Sequence, residues 1–206
     1  MGKSQYGETG FLYRYFNEKE NGILIDVGAS DGVKCSNSFD LIHDKNWKAI
    51  LIEPNKNAFD KLVKLYINNP KVYCELAACG SIMSKEVLYI DDYDESQQLS
   101  TILEEQKINC ENYFGCKFSQ QEIMQYPTSY FIEKHGLSKI DFMSIDTEGN
   151  DFQVIKGIDF DKVDIDLFCI EHIHNALISY LSKKGYREIY RTIVHGVTGN
   201  VFFSNR

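Results

Sequence analysis

The sequence predicts an α/β fold that is built on a doubly wound, mostly parallel β-sheet with helices on both faces. Short apolar runs alternate along the chain with segments whose apolar residues recur at helical spacing. The apolar runs are nearly continuous, which is typical of strands that are covered on both faces. Regular alternation of strand and helix favours parallel strands joined by right-handed crossovers.

The predicted elements follow one another in a regular order. Strands are predicted at residues 23–27, 49–53, 71–75, 140–145 and 165–170, with a less regular β-rich segment at 86–93. Helices are predicted at 6–19, around Phe39 after a capping Ser36, from Pro54 to about 67, and at 128–134, 152–156 and 175–183. Two further strands, at 186–192 and 200–204, are joined through a turn at Gly196 and Gly199.

The length of 206 residues predicts a single domain, residues 1–206, because globular domains commonly hold about 100–200 residues. Residues 94–126 interrupt the alternation with a polar stretch. Aromatic side chains are interleaved in it, namely Tyr113, Phe114, Phe118 and Tyr126. We expect this segment to be a lid or insert over the substrate site, because long polar segments in compact domains are often functional. The alternative is an ordinary helix at 120–125 with a surface loop.

The charge balance argues against nucleic acid as a partner. The chain has 22 Lys and Arg against 30 Asp and Glu, a net charge of −8 at pH 7, whereas nucleic-acid-binding domains are commonly basic. The sequence holds no apolar run near the ~20 residues that a transmembrane helix requires. Met1–Tyr6 also lacks the apolar stretch of a signal peptide. We therefore expect no membrane span.

The cysteines indicate a reducing compartment. The six are Cys35, Cys74, Cys79, Cys110, Cys116 and Cys169, and none forms a CxxC pair. Several lie in apolar, strand-like segments, so we expect buried, reduced thiols and a cytoplasmic protein. Cys110 and Cys116 alone are too few ligands to complete a metal site.

The residues that follow the first two strands indicate a ligand site, because ligands of doubly wound sheets bind beyond the carboxyl ends of the strands. The first strand runs into Asp26-Val-Gly-Ala-Ser-Asp-Gly32, whose glycines lie four residues apart, unlike the GxGxxG of nicotinamide-binding proteins. By itself this segment is equally compatible with a tight turn. Glu53 ends the second strand, where such folds place an acid on a ribose diol. The alternative is a carboxylate that caps the next helix.

Several segments together resemble the FkbM-type S-adenosylmethionine-dependent methyltransferases. The segments that carry the resemblance are ILIDVGASDG (23–32), CSNS (35–38), WKAILIEP (47–54), IDFMSIDTEG (140–149) and VIKG (154–157), with Ser4-Gln5 and Ile170-Glu171. The resemblance spans nearly the whole chain. It implies a Rossmann-like class I methyltransferase fold, with a seven-stranded, mostly parallel sheet and a C-terminal antiparallel strand, and S-adenosyl-L-methionine as cofactor.

The resemblance also implies a set of cofactor-binding residues. Asp26, Gly28 and Ala29 would line the methionine moiety, with Ser36 or Asn37 near its carboxylate. Glu53 would hold the ribose, and Leu76 and Ala77 would flank the adenine. The full predicted set is Asp26, Gly28, Ala29, Ser30, Gly32, Ser36, Asn37, Glu53, Pro54, Leu76 and Ala77.

Methyl transfer to an alcohol requires a general base, because the acceptor hydroxyl must lose its proton. The predicted catalytic residues follow the fourth and fifth strands of the parallel series: Asp146, Glu148, Glu171, His172 and His174. Asp146 and Glu148 are two residues apart, so in an extended chain they would point to one side. The two histidines, with Asp146, are an alternative metal-ligand set; the resemblance implies no metal, and we predict none.

The predicted function is therefore O-methylation of a hydroxyl on a small molecule or a sugar or glycoconjugate. One alternative is a catalytically silent methyltransferase-like module that binds a partner. Another is a nicotinamide-dependent oxidoreductase, which shares the ribose acid but is disfavoured by the spacing of Asp26, Gly28 and Gly32.

Overall fold

A computed structural model describes residues 3–92, 99–171, 173–194 and 197–206 of the chain. The helices are α1 (Glu8–Tyr15), α2 (Phe39–Lys45), α3 (Lys56–Tyr66), α4 (Glu104–Phe114), α5 (Thr128–Lys134), α6 (Asp151–Lys156) and α7 (Asn175–Lys183). The strands are β1 (Ile23–Val27), β2 (Lys48–Ile52), β3 (Val72–Glu75), β4 (Ala78–Gly80), β5 (Ser84–Asp91), β6 (Phe118–Pro127), β7 (Lys139–Ile145), β8 (Asp164–Ile170), β9 (Arg187–Val194) and β10 (Val197–Ser204). Within these described residues, no helix has the length and apolarity to cross a membrane.

Seven strands form the main sheet in the order β3-β2-β1-β7-β8-β10-β9. The five strands from β3 to β8 in this order pair in parallel. β10 runs antiparallel to both β8 and β9. The predicted fold class is confirmed, including the mostly parallel seven-stranded sheet and the antiparallel strand near the C-terminus.

Helices cover both faces of the main sheet, as the nearly continuous apolar strands require. Alternate residues of β1 face opposite cores: Ile25 and Val27 pack toward α5, α6 and α7, whereas Leu24 packs toward α1, α2 and α3. These side chains are almost completely buried. Full burial of one such aliphatic side chain stabilises the fold by about 1.5–3 kcal/mol. Burial on both faces therefore holds the carboxyl ends of the strands at one edge of a rigid sheet.

A second sheet, in the order β4-β6-β5, lies against α6. The polar segment at 94–126 holds helix α4 and most of strand β6. The alternative expectation of an ordinary helix in this segment is therefore wrong in its bounds, because the helix lies at 104–114 and residues 120–125 belong to β6. In β6, Ile123 and Gln125 are buried while the alternating neighbours are partly or fully exposed. A strand that buries one face needs few apolar residues, which is why its sequence is polar. Residues 94–98 of the expected lid lie outside the described residues.

Two predicted helices start and end at different residues in the structure. Helix α1 is shorter than the expected 6–19, because Gly7 and Asn17 have positive φ angles of 84° and 48° that break the helix on either side. Helix α3 begins at Lys56 rather than Pro54, because the side chain of Asn55 caps it by accepting a hydrogen bond from the Asn57 N–H at 3.0 Å.

Two smaller expectations are also corrected. Gly199 lies within β10 rather than in the turn before it, and Gly196 lies outside the described residues. Cys35 and Cys74 are only partly buried, unlike the other four cysteines. The expectation of buried thiols is therefore wrong for these two.

Replacing Gly28 with Ala is predicted to lower the free energy of unfolding by at least ~3 kcal/mol. Gly28 has a φ of +85°, and a Cβ there would overlap the carbonyl oxygen of Asp146. Because that neighbour is backbone, β1 and β7 would have to separate to relieve the overlap. Urea unfolding measures the change.

Gly10→Ala in α1 is the matched control for this substitution. The nearest atom to its added Cβ is Arg14 Nη1 at 3.6 Å, and Ala favours helix over Gly by about 1 kcal/mol. We expect the control to be neutral or stabilising. Equal unfolding midpoints for the two variants would contradict the close-approach argument.

Candidate active site

A cavity of about 300 Å³ opens at the carboxyl ends of the central parallel strands. Gly28, Glu53, Asp146 and Glu171 directly follow β1, β2, β7 and β8, and all four line the cavity. The strand order reverses between β1 and β7, so the cavity lies at the switch point where doubly wound sheets bind ligands.

The turn after β1 forms one wall of the cavity. The Gly28 N–H donates to the carbonyl of Ile52 at 2.9 Å, and the Asp146 N–H donates to the carbonyl of Val27 at 3.0 Å. These bonds extend the strand ladders by one residue on each side of the turn. With no Cβ at Gly28, the backbone of the turn is open to close approach by a ligand.

Asp26 lies within this wall as a buried carboxylate. It is 5% exposed and accepts a hydrogen bond from Ser38 Oγ at 2.5 Å. Burial raises the pKa of Asp26 to about 6, although hydrogen bonds from Ser38 and Ser144 lower it in part. A cationic ligand group beside it would stabilise the ionised form.

Glu53 is held by the backbone on both sides. Its Oε2 accepts from the Ser30 N–H at 2.8 Å, and its Oε1 accepts from the Asn55 N–H at 2.7 Å. Burial raises the pKa of Glu53 to about 7; the two backbone hydrogen bonds lower it, and the charge on Asp26 raises it. Each oxygen accepts from one backbone N–H and has further lone pairs, so the carboxylate is fixed in place and able to accept hydroxyl groups.

The loop before α2 forms a further wall. Ser36 Oγ accepts from the Phe39 N–H at 3.1 Å, but the residue at the N-cap of α2 is Ser38 and not the predicted Ser36. Asn37 Nδ2 donates to Ser144 Oγ at 3.4 Å and to Cys169 Sγ at 3.6 Å. Both loop side chains are buried, which fixes this wall against β7 and β8.

Three carboxylates converge at the ends of β7 and β8. One oxygen from each of Asp146, Glu148 and Glu171 lies within 4.8 Å of the other two. Burial raises the pKa of Asp146 well above its ordinary value, and the charges on Glu171 and Glu148 raise it further. Such a group can hold a proton, the cationic part of a ligand or a divalent metal ion.

Glu148 joins this cluster through an unexpected backbone conformation. The sequence argument placed Asp146 and Glu148 on one side of an extended segment, but Glu148 has a left-handed φ of 51°. It lies in the turn between β7 and α6. The two carboxylates meet because the turn bends, and not because the chain is extended.

Most of the predicted cofactor residues line the cavity. These are Asp26, Gly28, Ala29, Ser30, Ser36, Asn37, Glu53, Pro54 and Ala77. Gly32 and Leu76 do not line it. At Gly32 a Cβ would overlap the side chain of Leu62, so this glycine permits helix packing. Leu76 is 44% exposed to solvent, so the predicted contact of Leu76 with the cofactor finds no support in the geometry.

The predicted catalytic residues divide in the same way. Asp146, Glu148 and Glu171 line the cavity, and His172 lies outside the described residues. His174 is exposed and does not line the cavity; its Nδ1 caps α7 by accepting from the Leu177 N–H at 3.3 Å. The geometry therefore argues against the predicted role of His174 as a base.

Sequence reasoning missed several residues that complete the cavity. Leu99, Ser100, Thr101 and Ile102 line it from the segment before α4, and Ser144 lines it from β7. Ser144 was open to prediction, because side chains two residues apart on a strand share a face and Asp146 follows it by two. Residues 99–102 belong to the segment at 94–126 that was expected to lie over the site, but no periodicity or motif singles out these four.

The fold and the strand-end cavity define the class: the protein has the Rossmann-like fold of the class I methyltransferases. Within that class the chain belongs to the methyltransferase FkbM domain family, whose model matches residues 26–188. The resemblance predicted from the sequence is thereby confirmed. The search of curated proteins gave no significant match.

Solved structures of methyltransferases share the fold. The FkbM methyltransferase of Methylobacillus flagellatus KT aligns with 93% of this chain at 15% identity and a TM-score of 0.55, and the chain spans 50% of that protein. TrmK of M. capricolum, in complex with S-adenosyl-homocysteine, has 10% identity to this chain and a TM-score of 0.54. The alignment covers 98% of this chain and 67% of TrmK. Sp1610 of Streptococcus pneumoniae, in complex with S-adenosyl-L-methionine, has 12% identity to this chain and a TM-score of 0.54. The alignment covers 96% of this chain and 71% of Sp1610. At these identities the likeness establishes the fold alone.

The buried Glu53 makes the stability of the unliganded protein depend on pH. Its pKa is raised from 4.5 to about 7 in the folded chain, so between these values the folded state binds more protons than the unfolded state. Stability therefore falls as the pH rises from about 4.5 to about 7, by on the order of 3 kcal/mol for this group.

Urea unfolding at pH 5 and pH 8 tests this linkage. We expect Glu53→Gln to show a smaller decline than the wild type, while Asp26 and Asp146, whose pKa values burial also raises, keep the rest of it. Glu20→Gln, at an exposed position before β1, should keep the wild-type decline. The predicted sign would be contradicted if the wild type were more stable at pH 8 than at pH 5 and Glu53→Gln removed that difference.

Proposed function

We propose that this protein transfers a methyl group from S-adenosyl-L-methionine to a hydroxyl of a small molecule or of a sugar or glycoconjugate. The observation that carries the proposal is the buried Glu53, fixed by two backbone N–H groups at the wall of a switch-point cavity in an FkbM-family chain. A carboxylate so placed suits the two hydroxyls of a ribose.

In this proposal the cavity residues divide between the parts of the cofactor. Glu53 accepts the ribose hydroxyls, and Ala77 packs beside the adenine. Gly28 and Ala29 would offer open backbone to the methionine moiety, whose ammonium group the buried Asp26 carboxylate would balance. Asp146 and Glu148 would lie at the sulfonium end. The structures of TrmK and Sp1610, which hold S-adenosyl-homocysteine and S-adenosyl-L-methionine, support a cofactor of this kind on this fold.

The acceptor in this proposal binds beside the three carboxylates. The transfer is an in-line displacement at the sulfonium methyl carbon, so the protein contributes chiefly orientation. The acceptor hydroxyl gives up its proton to Asp146 or Glu171. Burial raises the pKa of Asp146, and the charge on Glu171 and its hydrogen bond to Asp146 raise it further. A carboxylate with a raised pKa is a stronger base once it is ionised.

Charge supports an uncharged or cationic acceptor over a phosphorylated one. Among the described residues that line the cavity, Lys34 is the single basic side chain, against Asp26, Glu53 and the three clustered carboxylates. A phosphate would meet repulsion from this lining. The net charge of −8 likewise disfavours nucleic acid.

We further propose that the chain is one domain in which the expected lid, whose described residues are 99–126, covers the acceptor end of the cavity. Its residues Leu99 and Ile102 supply apolar surface to the lining, which supports a role in excluding water from the reaction. Cytoplasmic localisation remains a prediction from the cysteine pattern. A catalytically silent binding module is the remaining alternative, and it differs from the proposal in showing no turnover.

S-Adenosyl-homocysteine is predicted to bind the protein and raise its melting temperature, since a ligand that binds only the folded state stabilises it. Glu53→Ala should weaken this binding by about 1–3 kcal/mol, because the ribose hydroxyls lose a charged acceptor. Isothermal titration calorimetry measures both. Glu20→Gln is the control and should bind as the wild type does. Tight binding of NAD with no response to S-adenosyl-homocysteine would overturn the proposed function.

Replacing the base is predicted to slow turnover while affinity for S-adenosyl-homocysteine stays within about threefold. Of Asp146→Asn and Glu171→Gln, the variant that lacks the base should lose about 10²–10⁴-fold in rate on a hydroxyl acceptor found by product screening. His174→Ala is the control and should retain the wild-type rate. If a chelator abolishes activity and a divalent ion restores it, the carboxylates are metal ligands and this assignment of the base is wrong.

A further inference from the structure

The turn that carries Glu148 into the cavity is conformationally costly. Glu148 has a φ of 51° and Gly149 a φ of 103°. For a residue other than glycine the left-handed region costs on the order of 1 kcal/mol or more, so it persists only where surrounding contacts hold it. Glu148 therefore needs a contact that fixes its backbone.

Thr101 supplies that contact from the segment before α4. Its Oγ1 donates to the carbonyl oxygen of Glu148 at 2.9 Å and accepts from the Leu103 N–H at 3.1 Å. Its backbone N–H and C=O both pair with Tyr89 of β5, at 3.0 and 2.8 Å. The side chain is 1% exposed, so the bond to Glu148 is shielded from competing water.

The position of Glu148 matters because of the charge it brings. Its carboxylate lies within 4.8 Å of those of Asp146 and Glu171, and like charges so close repel one another. A cation between them removes that repulsion, whereas a neutral group does not. The methyl donor carries a positive sulfonium, and the product S-adenosyl-homocysteine carries a neutral thioether in its place.

We propose that Thr101 is a positioning residue that holds Glu148 in the cavity, so that the three carboxylates prefer the sulfonium cofactor to its thioether product. The inference rests on the proposed function, because it requires that the cavity bind this cofactor. The segment at 99–102 would then contribute to the selectivity of the cavity for a positively charged ligand. The same preference favours release of the product.

The test is the ratio of the dissociation constants for S-adenosyl-homocysteine and S-adenosyl-L-methionine, measured by calorimetry. Thr101→Val keeps the shape of the side chain and removes the hydroxyl, and should lower this ratio about twofold to tenfold. Thr101→Ser keeps the hydroxyl and should retain the wild-type ratio. Glu148→Gln should lower the ratio directly.

The double variant Thr101→Val/Glu148→Gln separates positioning from general damage. If Thr101 acts through Glu148, adding Thr101→Val to Glu148→Gln causes no further fall in the ratio. Thr192→Val is the matched structural control. Thr192 is a buried threonine whose Oγ1 donates to the Asn200 carbonyl at 3.3 Å and which does not line the cavity. Its loss should lower the melting temperature and leave the ratio unchanged.

An unchanged ratio in Thr101→Val, or a further fall in the double variant, overturns the inference while leaving the proposed function intact. Thr101→Ala replaces Thr101→Val if the latter does not fold. An unchanged ratio in Glu148→Gln overturns the inference equally. A wild-type protein that binds neither ligand overturns the proposed function, and the inference with it.

Discussion

The architecture of the candidate site depends on one backbone contact, the approach of Gly28 to the carbonyl of Asp146. These residues leave adjacent parallel strands at the point where the winding of the sheet reverses. Any side chain at position 28 would push the strand ends apart. Because the two backbones touch, Asp26 and the carboxylates after β7 and β8 border the same small space. The cavity is therefore a consequence of strand packing rather than of a separate binding loop.

The two sheets make different contributions to that space. The main sheet places three acids at fixed points, since Glu53, Asp146 and Glu171 each directly follow a strand whose faces are both buried. The smaller sheet closes the remaining side and is tied to the main body at the start of α6. There, Asn150 Nδ2 donates to the Cys79 carbonyl at 3.0 Å. The acid-bearing edge of the main sheet and the wall from the smaller sheet together enclose the cavity, so no separate domain is needed to cover a ligand.

Sequence reasoning located the parts of the site that follow from strand geometry. Glu53 and Asp146 were predicted because parallel strands end at one edge, so the residues after them meet. His174 was predicted at the site but caps α7 outside the cavity, since a histidine at a strand end and one that caps a helix look alike in sequence. Thr101 was beyond prediction, because its place depends on pairing with Tyr89 across a polar segment without periodicity.

The position of β10 governs how the molecule assembles. This last strand lies between β8 and β9 rather than at an edge, and Asn200 within it donates to the fully buried Glu8 of α1 at 2.8 Å. Until residues 197–204 leave the ribosome, β8 has an open apolar edge and Glu8 lacks one of its hydrogen-bond partners. Contacts between distant parts of a chain form slowly. Folding is therefore completed only after nearly all of these residues have been synthesised, and the nascent chain carries an aggregation-prone strand edge until then.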